Sequence, residues 1–234
     1  MSGPDSLFDY VDGDAYFRGL RVEQRTIEVA GHSFTIVGLE DAADLLDQDD
    51  FARRFLEDDV APYGLELWPA ARMLVEHCLR SEDGKGRSAV ELGCGLGLVS
   101  IAASMKGWRT LATDNEQTSL RFAEYNARLN GADIAAFATL DWHDPPRGRK
   151  FERIFAADVL YQLADHVPVL ACVRALLASN GIAFIADPNR GVVDRFASLA
   201  KAHGFRIHTA TAAAPNARGK TVSGRIFELR PRRA

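Results

Sequence analysis

Cysteine is scarce in this chain of 234 residues: Cys78, Cys94 and Cys172 make up the whole set, with no Cys-x-x-Cys pair and no Cys/His grouping at zinc spacing. So few and so scattered, they exclude a disulfide framework and a structural zinc site, and make a reducing cytoplasm the expected location. Long hydrophobic runs are missing too, since no apolar stretch reaches the ~18 residues of a membrane span. Residues 1–10 are polar and acidic, without the basic-then-apolar order of a secretory signal or the arginines of a transit peptide. Positive charge is in deficit, with 28 Lys and Arg against 32 Asp and Glu and a formal net charge of −4. A protein built to grip a phosphate backbone needs a clustered basic face. The short tail of Arg225, Arg230, Arg232 and Arg233 is too modest for that and reads as solvated. What remains, 47% hydrophobic and 26% charged residues, is the ordinary mixture of a globular protein with a full core.

No internal repeat and no Gly/Ser- or Pro-rich linker divides the chain, so one structural domain is expected. Within it, residues 1–85 read as an N-terminal extension and residues 86–234 as the core. Residues 26–37 alternate Ile27, Val29, Phe34 and Ile36 around Gly31, a hairpin pattern. From Glu40 to Asp59 nine acids face only Arg53 and Arg54. This stretch is either a solvated, partly helical surface or a lure for a basic partner. Leu67, Ala71, Leu74, Val75 and Cys78 then recur at helical spacing, with Pro69 suited to the first helical position and the helix expected to end near Gly84–Gly86.

From Ser88 onward, strand-like runs at 89–92, 110–113, 134–140, 154–160 and 182–186 alternate with helical faces. Those faces are Leu98/Ile101/Ala102/Met105, Leu120/Ala123/Ala127 and Val193/Phe196/Ala197/Ala200. Strands apolar on both faces and separated by helices make a parallel sheet covered on both sides. The last two runs, 205–211 and 221–229, follow one another without a helix and are expected to pair antiparallel at one edge. The fold class is α/β: a doubly wound, Rossmann-like seven-stranded sheet with an antiparallel last strand, preceded by a hairpin and helical extension.

The sharpest local feature is Glu91-Leu92-Gly93-Cys94-Gly95-Leu96-Gly97, joining the first core strand to its helix, where open α/β sheets bind nucleotide-like ligands. A dinucleotide fingerprint requires Gly-x-Gly-x-x-Gly, and from Gly93 its third glycine falls at Leu98; no Gly-Lys-Ser/Thr of a phosphate loop follows either. Glu91 at the strand end repels a pyrophosphate and suits an ammonium group. Asp114, with Asn115 beside it, ends the second strand, where an acid accepts hydrogen bonds from ribose hydroxyls. Asp141 and Trp142 end the third, an acid for an adenine amino group and a ring for the base. Together they describe an adenosyl ligand with a positively charged amino-acid tail. Cys94 reads as a small residue filling a tight turn, and His143 as a loop histidine.

On these residues, 88–230 resemble a class I, seven-strand S-adenosylmethionine-dependent methyltransferase. Glu91-x-Gly93-x-Gly95-x-Gly97 matches the first motif of that family, Asp114 its ribose acid and Asp141 its adenine-side acid. After the fourth core strand, Asp158-Val159-Leu160-Tyr161 resembles the Asp-x-x-Tyr of the seven-strand protein lysine methyltransferases. Leu67-Trp68-Pro69 matches their Leu-Trp-Pro segment, and with the N-terminal hairpin the likeness to this group spans about residues 26–230. Asp187-Pro188-Asn189-Arg190 resembles the Asp-Pro-x-Arg of the electron-transfer-flavoprotein β-subunit lysine methyltransferase branch, with Asn189 where Gly is expected. The nucleic-acid enzymes of the fold often carry Asn/Asp-Pro-Pro-Tyr/Phe after strand four, which this chain lacks.

The resemblance implies S-adenosylmethionine as cofactor, no metal, and methyl transfer to a protein lysine. Small-molecule amine methylation and a non-catalytic cofactor-binding module are the alternatives. An attacking amine must first lose a proton. Asp158 is placed to orient it and Tyr161 to line its channel, with Trp68 closing over the cofactor's methionine end. Each has a structural reading beside the functional one: a helix cap for Asp158, interior packing for Tyr161, a hydrophobic staple for Trp68 and a loop cap for Asp187.

Overall fold

The computed structural model describes residues 7–11, 14–40 and 62–232; apart from Glu40, the acidic stretch lies outside them. The extension opens with four antiparallel strands in chain order, β1 (Asp9–Val11), β2 (Asp14–Phe17), β3 (Leu20–Val29) and β4 (His32–Leu39). Strands β3 and β4 form the expected hairpin, closed by the Val29–His32 pair. Ala30 and Gly31 both have positive φ, 50° and 80°, the two-residue turn whose twist matches its flanking strands. One face of the hairpin buries Ile27, Val29, Phe34 and Ile36.

The free edge of β4 is paired by a helix. α1 (Pro69–Arg80), α2 (Leu98–Met105) and α3 (Gln117–Leu129) follow in the chain. From α3, Asn126 Oδ1 accepts the Val37 N–H at 2.8 Å while Asn126 Nδ2 donates to the Val37 carbonyl at 3.0 Å. One turn on, Asn130, the C-cap residue, does the same for Thr35, at 2.9 and 2.7 Å. Four helical residues rise ~6.0 Å and two strand residues ~6.8 Å, close enough for two amides to serve alternate residues of the strand. Phe34, Ile36 and Leu39 accordingly share one buried cluster with Leu74, Val99 and Phe122 of the core helices.

The main sheet has seven strands in the order β10-β11-β9-β8-β5-β6-β7. They are β5 (Ser88–Leu92), β6 (Arg109–Asp114), β7 (Ala136–Thr139), β8 (Phe151–Ala157), β9 (Leu177–Asp187), β10 (Phe205–Pro215) and β11 (Thr221–Pro231). β7, β6, β5, β8 and β9 run parallel, and β11 inserts antiparallel between β9 and β10. A second buried cluster joins strand residues such as Val90, Ile154 and Ile185 to α4 (His166–Leu176) and α5 (Phe196–Ala202).

Several elements differ from the sequence expectation. α1 stops at Arg80, because Ser81 turns extended and its hydroxyl donates to the His77 carbonyl at 2.6 Å. β8 stops at Ala157 instead of Leu160, because Asp158 takes a left-handed φ of 63°; Val159 and Leu160 then enter the core in irregular backbone. β9 begins at Leu177, ahead of a register shift against β8 between Phe151 and Arg153. Between these two strands lies α4, with no counterpart in the sequence reading.

Candidate active site

A cavity of about 320 Å³ opens at the carboxyl ends of the parallel strands, where an open α/β sheet places its ligands. Its floor is the turn after β5. Gly93 and Gly95 have φ of 67° and 49°. A Cβ on Gly95 would meet the Gly64 carbonyl oxygen at 2.9 Å, and one on Gly93 would meet Val159 Cγ1 at 3.1 Å. The turn is held by the Cys94 N–H on the Thr113 carbonyl, 2.8 Å. Gly97 plays a different part: it caps α2 at φ 83°, where a Cβ would lie 2.9 Å from Ala123 Cβ. It lets α2 approach α3 and does not line the cavity.

Glu91 lines the cavity and is almost fully buried. Its Oε2 accepts the backbone N–H of Ser100 at 2.8 Å and the Ser100 hydroxyl at 2.5 Å, capping the first turn of α2. Burial nevertheless pushes its carboxyl up to about 8, against the pull of the Ser100 bonds. Asp114 accepts the Gly95 N–H on Oδ2 at 2.9 Å and the Glu116 N–H on Oδ1 at 3.0 Å. Burial raises its carboxyl as well, opposed by those two donors. Each Asp114 oxygen keeps a lone pair for a further donor. Asn115 lines the cavity beside it.

The third strand end separates its two candidates. Trp142 lines the cavity, and its Nε1 is buried without a partner. Asp141 points outward, with its side chain 59% exposed and a hydrogen bond to His143 Nδ1 at 2.9 Å. The His143 backbone and side-chain bonds lower the Asp141 carboxyl, and His143 Nε2 reaches Asp165 at 3.3 Å. Asp141 is thus outside the cavity in which the sequence reading expected it.

On the acceptor side, Asp158 is buried, and its N–H donates to the Ala186 carbonyl at 2.9 Å. Its Oδ1 pairs with the Arg190 guanidinium, while Oδ2 is buried without a partner. Tyr161 lines the cavity mouth, 43% exposed. Its ring stacks near-parallel to Tyr63, 6.4 Å between centroids, and burial of the hydroxyl raises its pKa, with Asp165 adding to the shift. Trp68 is the N-cap of α1 with Pro69 at the first helical position, and its Nε1 donates to the Tyr63 carbonyl at 2.9 Å. Asp187 caps its own loop by accepting the Arg190 N–H at 3.0 Å. Asn189, where Gly was expected, has φ 60°, a conformation that Asn tolerates better than most residues.

Sequence reasoning did not assign Tyr63, Gly64 or Arg190 to the site. Arg190 was visible in the Asp-Pro-x-Arg segment, but its pairing with Asp158, 32 residues earlier, was not. Cys94 is buried in the turn, and burial beside two acids pushes its thiol well above its ordinary value, which fits a packing role.

The strand order and glycine turn define the fold of the class I methyltransferases. A family model described as lysine methyltransferase matches residues 47–198, and the chain belongs to that family. The protein-lysine N-methyltransferase rrg1 of Schizosaccharomyces pombe is 31% identical over 143 residues, 54% of this chain and 47% of that protein. The electron transfer flavoprotein beta subunit lysine methyltransferase of Rattus norvegicus is 31% identical over 133 residues, 55% and 51% of the two chains. This chain spans about half the length of these two relatives. Among solved structures, the Thermus thermophilus 16S rRNA N2 G1207 methyltransferase in complex with AdoMet and guanosine superposes with a TM-score of 0.61 at 14% identity, over 90% of this chain and 51% of that one. At that identity the likeness is one of fold.

Proposed function

We propose that this chain is an S-adenosylmethionine-dependent N-methyltransferase acting on a protein lysine. The observation that carries the reading is Asp158: a buried carboxylate in a cavity floored by the glycine turn, with one oxygen paired and the other lacking a donor. A buried acceptor without a partner is costly, and an N–H of the acceptor amine removes that cost.

The residues present fit the cofactor. Glycine at 93 and 95 leaves a cradle that a Cβ would crowd. Asp114, with lone pairs to spare, would hold the ribose hydroxyls, Trp142 the adenine face and Glu91 the ammonium. When bound, S-adenosylmethionine supplies a methyl group whose bond to sulfur breaks, its electrons staying on sulfur, as the nitrogen lone pair forms the new N–C bond. The acceptor ammonium must first give one proton to solvent, since its intrinsic pKa is near ~10.4. Asp158 Oδ2 then orients the amine by accepting a remaining N–H, and most of the rate comes from that positioning. Tyr63 and Tyr161 flank the entrance with ring faces that suit an alkylammonium. Three free, buried cysteines support a reducing compartment such as the cytoplasm.

The test is transfer of radiolabelled methyl groups into a cell lysate. Label on a protein band, with methyllysine found by mass spectrometry, is expected; label confined to small molecules overturns the protein substrate. Asp158→Asn is expected to reduce labelling by about 100-fold or more while keeping S-adenosylhomocysteine affinity. Asp114→Asn is expected to lose that affinity by about 10-fold or more.

A further inference from the structure

Arg190 stands between two acids. Its guanidinium pairs with Asp158 Oδ1 and lies 3.5 Å from Asp187 Oδ2. Its own N–H fixes the loop by donating to Asp187, and the guanidinium carbon sits 6.0 Å from the Trp68 ring centroid. Both acids are almost fully buried, with side-chain exposures of 4% and 0% against 31% for Arg190. Among the described residues lining the cavity, Arg190 alone carries positive charge. The acids on the other walls are engaged elsewhere: Glu91 on Ser100, Asp114 on Gly95 and Glu116, and Glu66 toward Arg25 at 3.9 Å. Outside the cavity, Arg225 and His166 act on Asp187. Tyr161, Tyr63, Glu116 and Cys94 are the remaining titratable groups that line the cavity.

This arrangement bears on a conflict in the chemistry. A carboxylate beside an amine orients it but also favours its charged form, and the ammonium has no lone pair with which to attack. We infer that Arg190 is a positioning residue that resolves this conflict: by neutralising one oxygen of Asp158 it leaves the other to accept an N–H bond, while denying the site the net negative charge that would keep the acceptor amine protonated. The inference rests on the methyl-transfer reading and deepens it. It makes the reactive species a neutral amine held by one carboxylate oxygen, and it assigns the acid limb of the rate profile to the Arg190–Asp158 pair. Without Arg190, Asp158 bears on the amine uncompensated, so the amine binds well as ammonium and reacts poorly.

The experiment compares wild type, Arg190→Gln and Arg190→Lys by the initial rate of labelling of a lysate protein fraction, from neutral to alkaline pH and at several lysate dilutions. For Arg190→Gln the acid limb is expected to move upward by about one unit or more. Labelling at neutral pH should then drop about tenfold, with no rise in the amount of lysate that half-saturates the enzyme; Arg190→Lys should restore the wild-type limb. A readout free of donor and acceptor is the carboxyl carbon-13 resonance of Asp158, whose titration midpoint should rise by about one unit or more in Arg190→Gln. A loss of rate equal at every pH, or an unmoved Asp158 midpoint, overturns the inference and leaves Arg190 as packing for Trp68. S-adenosylhomocysteine affinity within about threefold of wild type by calorimetry, well under the tenfold that ~1.4 kcal/mol represents, confirms that the variant's site is intact. Label transfer by none of the three proteins, wild type included, overturns the methyl-transfer reading and this inference together, whereas transfer by all with superimposable pH profiles overturns the role of Arg190 alone.

Discussion

Replacing Asn126 by alanine tests how the N-terminal hairpin is held to the core. The Asn126 side chain is fully buried and makes three backbone hydrogen bonds, two to Val37 and one, at 3.0 Å, to the Leu96 carbonyl. In the variant, the Val37 N–H and carbonyl lose their partner along an otherwise unpaired strand edge, and the Leu96 carbonyl loses a donor beside the glycine turn. Each buried backbone group left unsatisfied costs about 1–3 kcal/mol. With Val37 buried, both of its groups count, for a total of about 2–6 kcal/mol. That is a large share of a typical domain stability of about 5–15 kcal/mol. Asn130→Ala is the control: its bonds to Thr35 are only partly buried, water replaces them, and about 1 kcal/mol is expected. Urea unfolding followed by far-ultraviolet circular dichroism measures both as a drop in midpoint at unchanged slope. A cost for Asn126→Ala below about 1 kcal/mol, or no larger than that of Asn130→Ala, would refute the reasoning that these amides pair a strand edge in place of another strand.

Gly97→Ala combines a φ of 83° with a Cβ 2.9 Å from Ala123, and should cost about 2–4 kcal/mol. At the hairpin turn, Gly31→Ala meets open space and should cost only about 1–2 kcal/mol; equal midpoints in thermal melts of the two variants would contradict the packing role of Gly97. Glu91, whose carboxyl rises from 4.5 to about 8 on folding, keeps in the folded chain a proton that the unfolded chain releases. Stability of the ligand-free protein should therefore fall as pH rises between these values, by up to about 4–5 kcal/mol. Glu91→Gln should flatten that slope in denaturant titrations at a series of pH values.

The parallel sheet was legible in the sequence because each buried strand is a short β-branched or apolar run bounded by turn residues, and the glycine turn because its backbone leaves no room for side chains. α4 was not: Val169, Leu170, Cys172, Val173 and Leu176 are buried at helical spacing, but the exposed Val167 and Ala171 are apolar as well and blur that period in the sequence. Asp141 and Trp142 were read together as adjacent residues at a strand end, yet β7 stops at Thr139 and a turn follows, closed by the Asp144 N–H on the Asp141 carbonyl at 3.1 Å, in which only Trp142 faces the cavity. The Asn126–Val37 pairing spans 89 residues, and nothing local in either segment announces it. Arg190 was in view as part of a motif, but its chemistry belongs to its partner across the strand ends.

The left-handed backbone at Asp158 limits how this position can change. At φ 63°, Asp, Asn and Gly are at ease, whereas a residue such as Ala adds strain of its own. A loss measured for an alanine variant would therefore mix a missing carboxylate with a distorted strand end, while Asn removes the charge alone. The same geometry channels divergence: a relative that gives up catalysis but keeps the fold would pass most easily through Asn or Gly at this position. Asn followed three residues later by Tyr would then mark a retired enzyme with its architecture intact.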